Sequence, residues 1–227
     1  MTVLAAIGTL TLGACALPQR IDASADAPAG ASGTEIDREL YGQLIRSMLD
    51  QGQYYAALAH VQQRQRSGGG DRTELRYLEA EARRGLGQVE AARTLYEGLL
   101  KTAYAARAYH GLGLLYAGSD LDRAIGYLRE AAVRAPTDAD VRNDLGYALL
   151  KARRDAEALH ELATAVELAP ESEKARNNLM LLLMVRGDEA AVNRVAREAA
   201  VPAETMARLR KQAAELRAPR GATGGRP

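Results

Sequence analysis

The chain has 227 residues, a formal net charge of +1, 47% hydrophobic residues and only 4% aromatics, all ten of them tyrosine. The 45 alanines and 31 leucines make up a third of the chain, a helix-forming composition, because both residues lose little side-chain freedom in a helix. Few β-branched runs and few aromatics exclude a β-sandwich or barrel. The near-zero charge lacks the broad electrostatic attraction of a nucleic-acid binder, and the lone Cys15 excludes an internal disulfide framework.

In chain order, Val3 to Ala14 carry no charge and are small or apolar apart from Thr9 and Thr11. This run is too short to span a bilayer as a helix, which needs about 20 residues, but it suits the apolar core of a secretory signal. It ends Leu12-Gly13-Ala14-Cys15, which resembles a bacterial lipobox at all four positions: Leu, two small residues, then the cysteine whose thiol receives lipid. No Lys or Arg precedes the apolar run, so a basic n-region is expected upstream of Met1. The resemblance implies a signal peptide over 1–14 and a mature chain starting at Cys15. Several acyl chains there would supply enough buried CH₂ groups, at about 0.8 kcal/mol each, for stable anchoring. Residues 15–34, rich in Ala, Ser, Pro, Gly and Asp, read as a flexible linker. Ala16 stands where an inner-membrane retention signal commonly has aspartate, which favours the periplasmic face of the outer membrane.

The body of the chain repeats. Asn143 to Leu149, followed by Ala158, Leu162, Ala165 and Pro170, matches an earlier unit of Tyr109, Leu112, Gly113, Tyr116, Ala124, Leu128, Ala131 and Pro136. Both Pro136 to Pro170 and Ala124 to Ala158 span 34 residues. Small residues at Gly113, Gly146, Ala124 and Ala158 would let paired helices approach, and proline would stop each second helix. This pattern resembles the tetratricopeptide repeat (TPR), a 34-residue helix-turn-helix unit, and implies an all-α, right-handed solenoid. Weaker copies include Gly52, Ala57 and Val61, then Gly87, Ala92 and Tyr96, and later Asn177, Asn178, Leu183 and Gly187. About five hairpins are expected over 35–200. An amphipathic capping helix follows over 201–217, with Met206, Leu209, Ala213 and Leu216 on one face, and a Gly/Pro-rich disordered tail over 218–227.

Catalytic patterns are not found. His60, His110 and His160 sit on three different hairpins without metal-ligand spacing, and Ser67 to Gly70 lacks the Lys-Ser/Thr of a phosphate loop. The chain is therefore read as a non-enzyme with no cofactor, metal or small-molecule substrate. Stacked hairpins present their first helices on a concave side. Taking the repeats in register, the groove is expected to expose Arg107, His110, Leu114, Asn143, Asp144, Tyr147, Lys174, Asn177, Asn178 and Leu181 to a peptide. Asn178 stands where peptide-gripping TPR domains often carry a backbone-binding Asn. Asp144, a pure acceptor, suits an N–H or a basic side chain, and Asn143 and Asn177 could instead bond the neighbouring turn.

Lipobox, linker, repeats and capping helix together resemble the TadD family of Tad (Flp) pilus assembly lipoproteins. The resemblance is carried by Leu12 to Cys15 and by the run NDLGYALLKARRDAEALHELATAVELAP. It implies a pilotin that holds a segment of the pilus secretin and helps it assemble in the outer membrane. An envelope scaffold lipoprotein serving cell-wall or outer-membrane assembly machinery is the alternative. If Cys15 carries the lipid, Cys15→Ser shifts the protein from the membrane to the soluble fraction on fractionation. Retention in the membrane without the thiol refutes the anchor.

Overall fold

An Ala/Leu-rich chain interrupted every 15 to 20 residues by Gly, Asp or Pro forms short helices that cannot bury an apolar face alone and must pair. The computed structural model describes residues 31–218, which form eleven helices joined by short turns. Ten of these pair as hairpins in chain order. They are α1 (Ala31–Asp50) with α2 (Tyr54–Arg66), α3 (Arg72–Gly85) with α4 (Val89–Glu97), and α5 (Ala105–Tyr116) with α6 (Leu121–Arg134). The series continues with α7 (Ala139–Lys151) and α8 (Asp155–Leu168), then α9 (Glu173–Arg186) and α10 (Glu189–Glu198). The second helix of each of the first four hairpins packs on the first helix of the next, which makes the stack a solenoid. The five expected hairpins are present, with α1 beginning at Ala31 rather than at 35. Cys15 and most of the segments read above as signal peptide, linker and tail fall outside the described residues.

Side-chain caps set several helix starts. Asp71 accepts from the backbone N–H groups of Thr73 and Glu74, Asp138 from those of Asp140 and Val141, and Asp188 from that of Ala191. Each satisfies donors that the helix leaves unpaired. At the hairpin turns Gly52, Gly87 and Gly187 take the left-handed conformation, and in the fourth hairpin Arg153 takes it instead at φ 62°. A non-glycine residue there costs roughly 1–2 kcal/mol. The Arg153 Nη1 donates to the Leu216 carbonyl at 2.8 Å, an interaction that offsets this cost.

Within the hairpins the expected small residues bring the helices together. A Cβ at Gly113 would lie 2.5 Å from Leu128 Cγ, and one at Gly146 would lie 2.6 Å from Leu162 Cγ and 3.1 Å from its backbone nitrogen. The buried Leu128 and Leu162 fill the space these glycines leave, each contributing about 1.5–3 kcal/mol by removal from water. Ala80 and Ala92 flank the buried Tyr96 in the same way, and Tyr96 lies over Gly111 of the next hairpin.

The two ends are finished differently. Leu40 of α1, placed where α3 has Leu75, is 63% exposed against 5%, because no described helix precedes it. Gln43 and Ser47 replace Leu78 and Ala82 at the matching positions, which turns most of that end face polar. At the other end α11 (Ala203–Arg217) buries Met206, Leu209 and Ala213. It packs on α9 rather than continuing the stack on α10. The cap thus lies along a first helix. Replacing Gly146 by Ala is expected to destabilise the protein by about 1–2 kcal/mol, overpacking outweighing helix propensity. Gly126→Ala on the open side of α6, where an added Cβ meets nothing within 4 Å, is expected to stabilise by about 1 kcal/mol. Urea denaturation of the two variants checks both signs.

Candidate functional site: the wall of first helices

The first helices stand side by side, α1 against α3, α3 against α5 and α7 against α9. A hydrogen bond of 2.8 Å from His110 Nε2 to Asp144 Oδ2 spans α5 and α7. Equivalent residues therefore recur along the wall. Glu74, Arg107, Asp140 and Lys174 share one repeat position, and Tyr77, His110, Asn143 and Asn177 share another.

A polar chain crosses the last three hairpins of this wall. Asp144 binds His110 through one carboxylate oxygen. Through the other it binds Lys174 Nζ at 2.8 Å and accepts from Asn143 Nδ2 at 3.0 Å. Asn143 Oδ1 in turn accepts from Asn178 Nδ2 at 2.8 Å. Burial by itself raises the Asp144 carboxyl pKa, but the His110 hydrogen bond and the Lys174 ammonium outweigh it and hold the group below the ordinary aspartate range.

This network corrects part of the expected groove. Asn143 is 1% exposed, with both ends of its amide used inside the protein, so it offers nothing to a ligand. The Asn178 amide nitrogen is spent on Asn143 rather than left for a peptide backbone. Asp144, its side chain 13% exposed, serves as the anchor of neighbouring hairpins, not as a free acceptor. Leu181 is also corrected: it is 0% exposed in the core. Met180 to Val185 are all buried, because α7, α8, α10 and α11 surround this stretch of α9. Tyr147 is half-buried, and its hydroxyl accepts from Gln212 of α11 at 3.1 Å. The Arg217 Nε donates to the Val185 carbonyl at 3.2 Å. The last helix thus lies over the wall at α7 and α9. Asn177 is half-buried, with a buried side-chain oxygen that has no hydrogen-bond partner.

Of the expected set, Arg107, His110, Leu114 and Lys174 keep exposed or half-exposed surface away from α11's polar contacts. The structure adds residues that the register did not supply. Tyr77 and Tyr104 meet with ring centroids 5.4 Å apart, and Arg107 stacks on both, its guanidinium carbon 5.3 Å from the Tyr104 centroid and 5.8 Å from that of Tyr77. Tyr104 is placed by an irregular turn after the nine-residue α4, where its N–H donates to Thr102 Oγ1. Burial, with Glu81 nearby, raises the Tyr77 phenol, so it stays neutral at ordinary pH. Further along, Arg46 of α1 pairs with Glu74 of α3, and Tyr96 donates to Glu81 at 2.6 Å.

The three histidines do not converge. His60 Nδ1 faces the Tyr41 hydroxyl, His110 belongs to the Asp144 network, and His160 is exposed on α8. No helix among the described residues is long and apolar enough to cross a membrane.

The depressed Asp144 pKa makes a pH prediction. A carboxyl whose folded pKa lies below its unfolded value, about 3.9, contributes stability that is present above that value. The contribution is lost as pH falls through the folded pKa. Asp144→Ala is expected to lower stability at pH 7 by about 2 kcal/mol. It should also remove part of the acid-induced loss that the wild type shows below about pH 4. Thermal melts of both proteins from pH 7 to 2.5 measure the difference.

No protein-family model matches the chain. A TPR repeat-containing protein of Pseudomonas aeruginosa is 38% identical over 160 residues, covering 70% of this chain and 63% of the relative. The chain thus matches less than two thirds of that relative's length. Two solved structures share the fold. A thermophilic TPR protein of Thermus thermophilus superposes with a TM-score of 0.61 at 20% identity, covering 79% of this chain and 98% of that one. The PilF protein of Pseudomonas aeruginosa gives 0.62 at 18% identity, covering 82% and 89%. The 34-residue spacing, the stack of helical hairpins and these similarities together show that the chain has the tetratricopeptide-repeat solenoid fold.

Proposed function

We propose that this protein is an outer-membrane lipoprotein, held on the periplasmic face through Cys15, that acts as a pilotin for the secretin of a Tad (Flp) pilus. A TPR solenoid implies protein partners. The observation that carries the finer reading is the placement of the chain's one cysteine. It closes a Leu-Gly-Ala-Cys segment and is joined by a Pro/Gly/Ser-rich stretch to a peptide-binding type of scaffold. The work done is physical. The wall of α1, α3 and α5, left uncovered by α11, shields an aggregation-prone segment of the secretin. The lipid confines that complex to the membrane surface, where a tether raises the local concentration of the two proteins.

Leu114 sits mid-wall on α5, half-buried, with no polar partner to lose. In calorimetry the full chain is expected to bind a peptide from the secretin C-terminus, and Leu114→Glu should weaken it at least tenfold, about 1.4 kcal/mol. Absence of binding to any secretin segment overturns the assignment. Co-purification with cell-wall or barrel-assembly proteins, with normal secretin multimers in a deletion strain, would support the envelope scaffold instead.

A further inference from the structure

The cations along the wall are almost all neutralised from within. Arg46 is held by Glu39 and Glu74, Arg84 by Glu81, and Lys174 by Asp140 and Asp144. Arg107 is different. No carboxylate among the described residues lies within ion-pair distance of it, and its guanidinium is steadied by the faces of Tyr77 and Tyr104. A guanidinium stacked on rings keeps its edge N–H groups free, and that edge matches a carboxylate with two parallel hydrogen bonds.

Its position adds a second observation. Two hollows open side by side on the wall, and Arg107 lines both. The first, between α1, α3 and α5, has Leu49, Tyr77 and Leu78 as its apolar lining. The second, between α5 and α7, has Ala103, Ala106, Ala135 and Val141. The acids that border them are mostly committed. Glu81 takes the Tyr96 hydroxyl and Arg84, and Asp138 caps α7. Asp50 also lines the first hollow but makes no ion pair with Arg107. An aromatic-backed arginine between two recesses that each hold an apolar patch beside polar groups has the composition of a binding hot spot.

We propose that Arg107 receives an Asp or Glu side chain of a bound peptide, with apolar side chains on either side of that acid entering the two hollows. This rests on the reading that the wall holds a peptide, and it specifies the peptide's chemistry: an acidic residue flanked by apolar ones. The carboxylate replaces water at an edge that the protein has left unneutralised. Tyr77 and Tyr104 hold the guanidinium in place, so little side-chain freedom is lost on binding.

The test is independent of the secretin. A random twelve-residue peptide display library is selected on the full chain and on Arg107→Gln, the latter checked by thermal melting. The selected peptides are expected to share one fixed Asp or Glu flanked by apolar positions. Their affinity should fall at least tenfold on Arg107→Gln or on changing that acid to its amide. Arg107→Glu should regain binding when the peptide's acid is changed to Lys. A library that yields no binders, binders without a fixed acid, or binders indifferent to Arg107→Gln overturns the proposal. If acidic peptides depend on Arg107 while no secretin segment binds, the pilotin assignment falls and this site stands. If a secretin peptide binds regardless of Arg107, the reverse holds.

Discussion

Everything in this solenoid depends on how closely the two helices of a hairpin can cross. At Gly113 and Gly146 the crossing leaves less than the width of a methyl group, and Leu128 and Leu162 occupy the space. That closeness fixes the angle of each hairpin and hence where its first helix stands relative to the next. The alignment of His110, Asp144 and Lys174 is downstream of it. Three charged or polar groups on three hairpins meet within hydrogen-bond distance only if each hairpin repeats the same geometry. The apolar crossings supply most of the free energy, and the polar chain, which is costly to leave half-satisfied, penalises any slip between neighbours.

The wall consequently has two kinds of polar residue. Those in the later hairpins turn toward one another and serve the stack; those nearer its start, around Tyr77, Tyr104 and Arg107, are arranged by ring packing and leave charge facing outward. A repeat protein need not present every hairpin equally to a partner. Here the later hairpins give rigidity and the earlier ones give contact. The division follows from which side chains find partners inside the protein.

Much of the architecture was legible in the sequence because hairpin packing depends on residue size at fixed spacing. Gly113, Gly146, Ala124, Ala158 and the two prolines mark it directly. The groove was less legible. Register tells which residues face the same way, but not whether a neighbour claims them. Asn143 and Asn178 were placed on the right wall and then proved to bond each other. Leu181 was lost for a different reason. The stripe of Met206, Leu209 and Ala213 announced an amphipathic last helix, yet such a stripe fits equally well on the end of the stack or along a first helix. Only the fold shows that it covers α9. Tyr104 escaped notice because it belongs to an irregular turn outside the repeat, where periodicity carries no information.

The seat of α11 gives the wall a direction. With Gln212 on Tyr147, Arg217 on the Val185 carbonyl and Arg153 on that of Leu216, the last helix is fastened by polar contacts at its C-terminal end, while Met206, Leu209 and Ala213 bury its apolar face. The wall is then blocked at one end and open at the other. A segment longer than the span of α1 to α5 meets α11 at the far end and has its clear way out at the near one. That end is formed by the first hairpin, so the unbound remainder of a long partner would emerge beside α1 and α2.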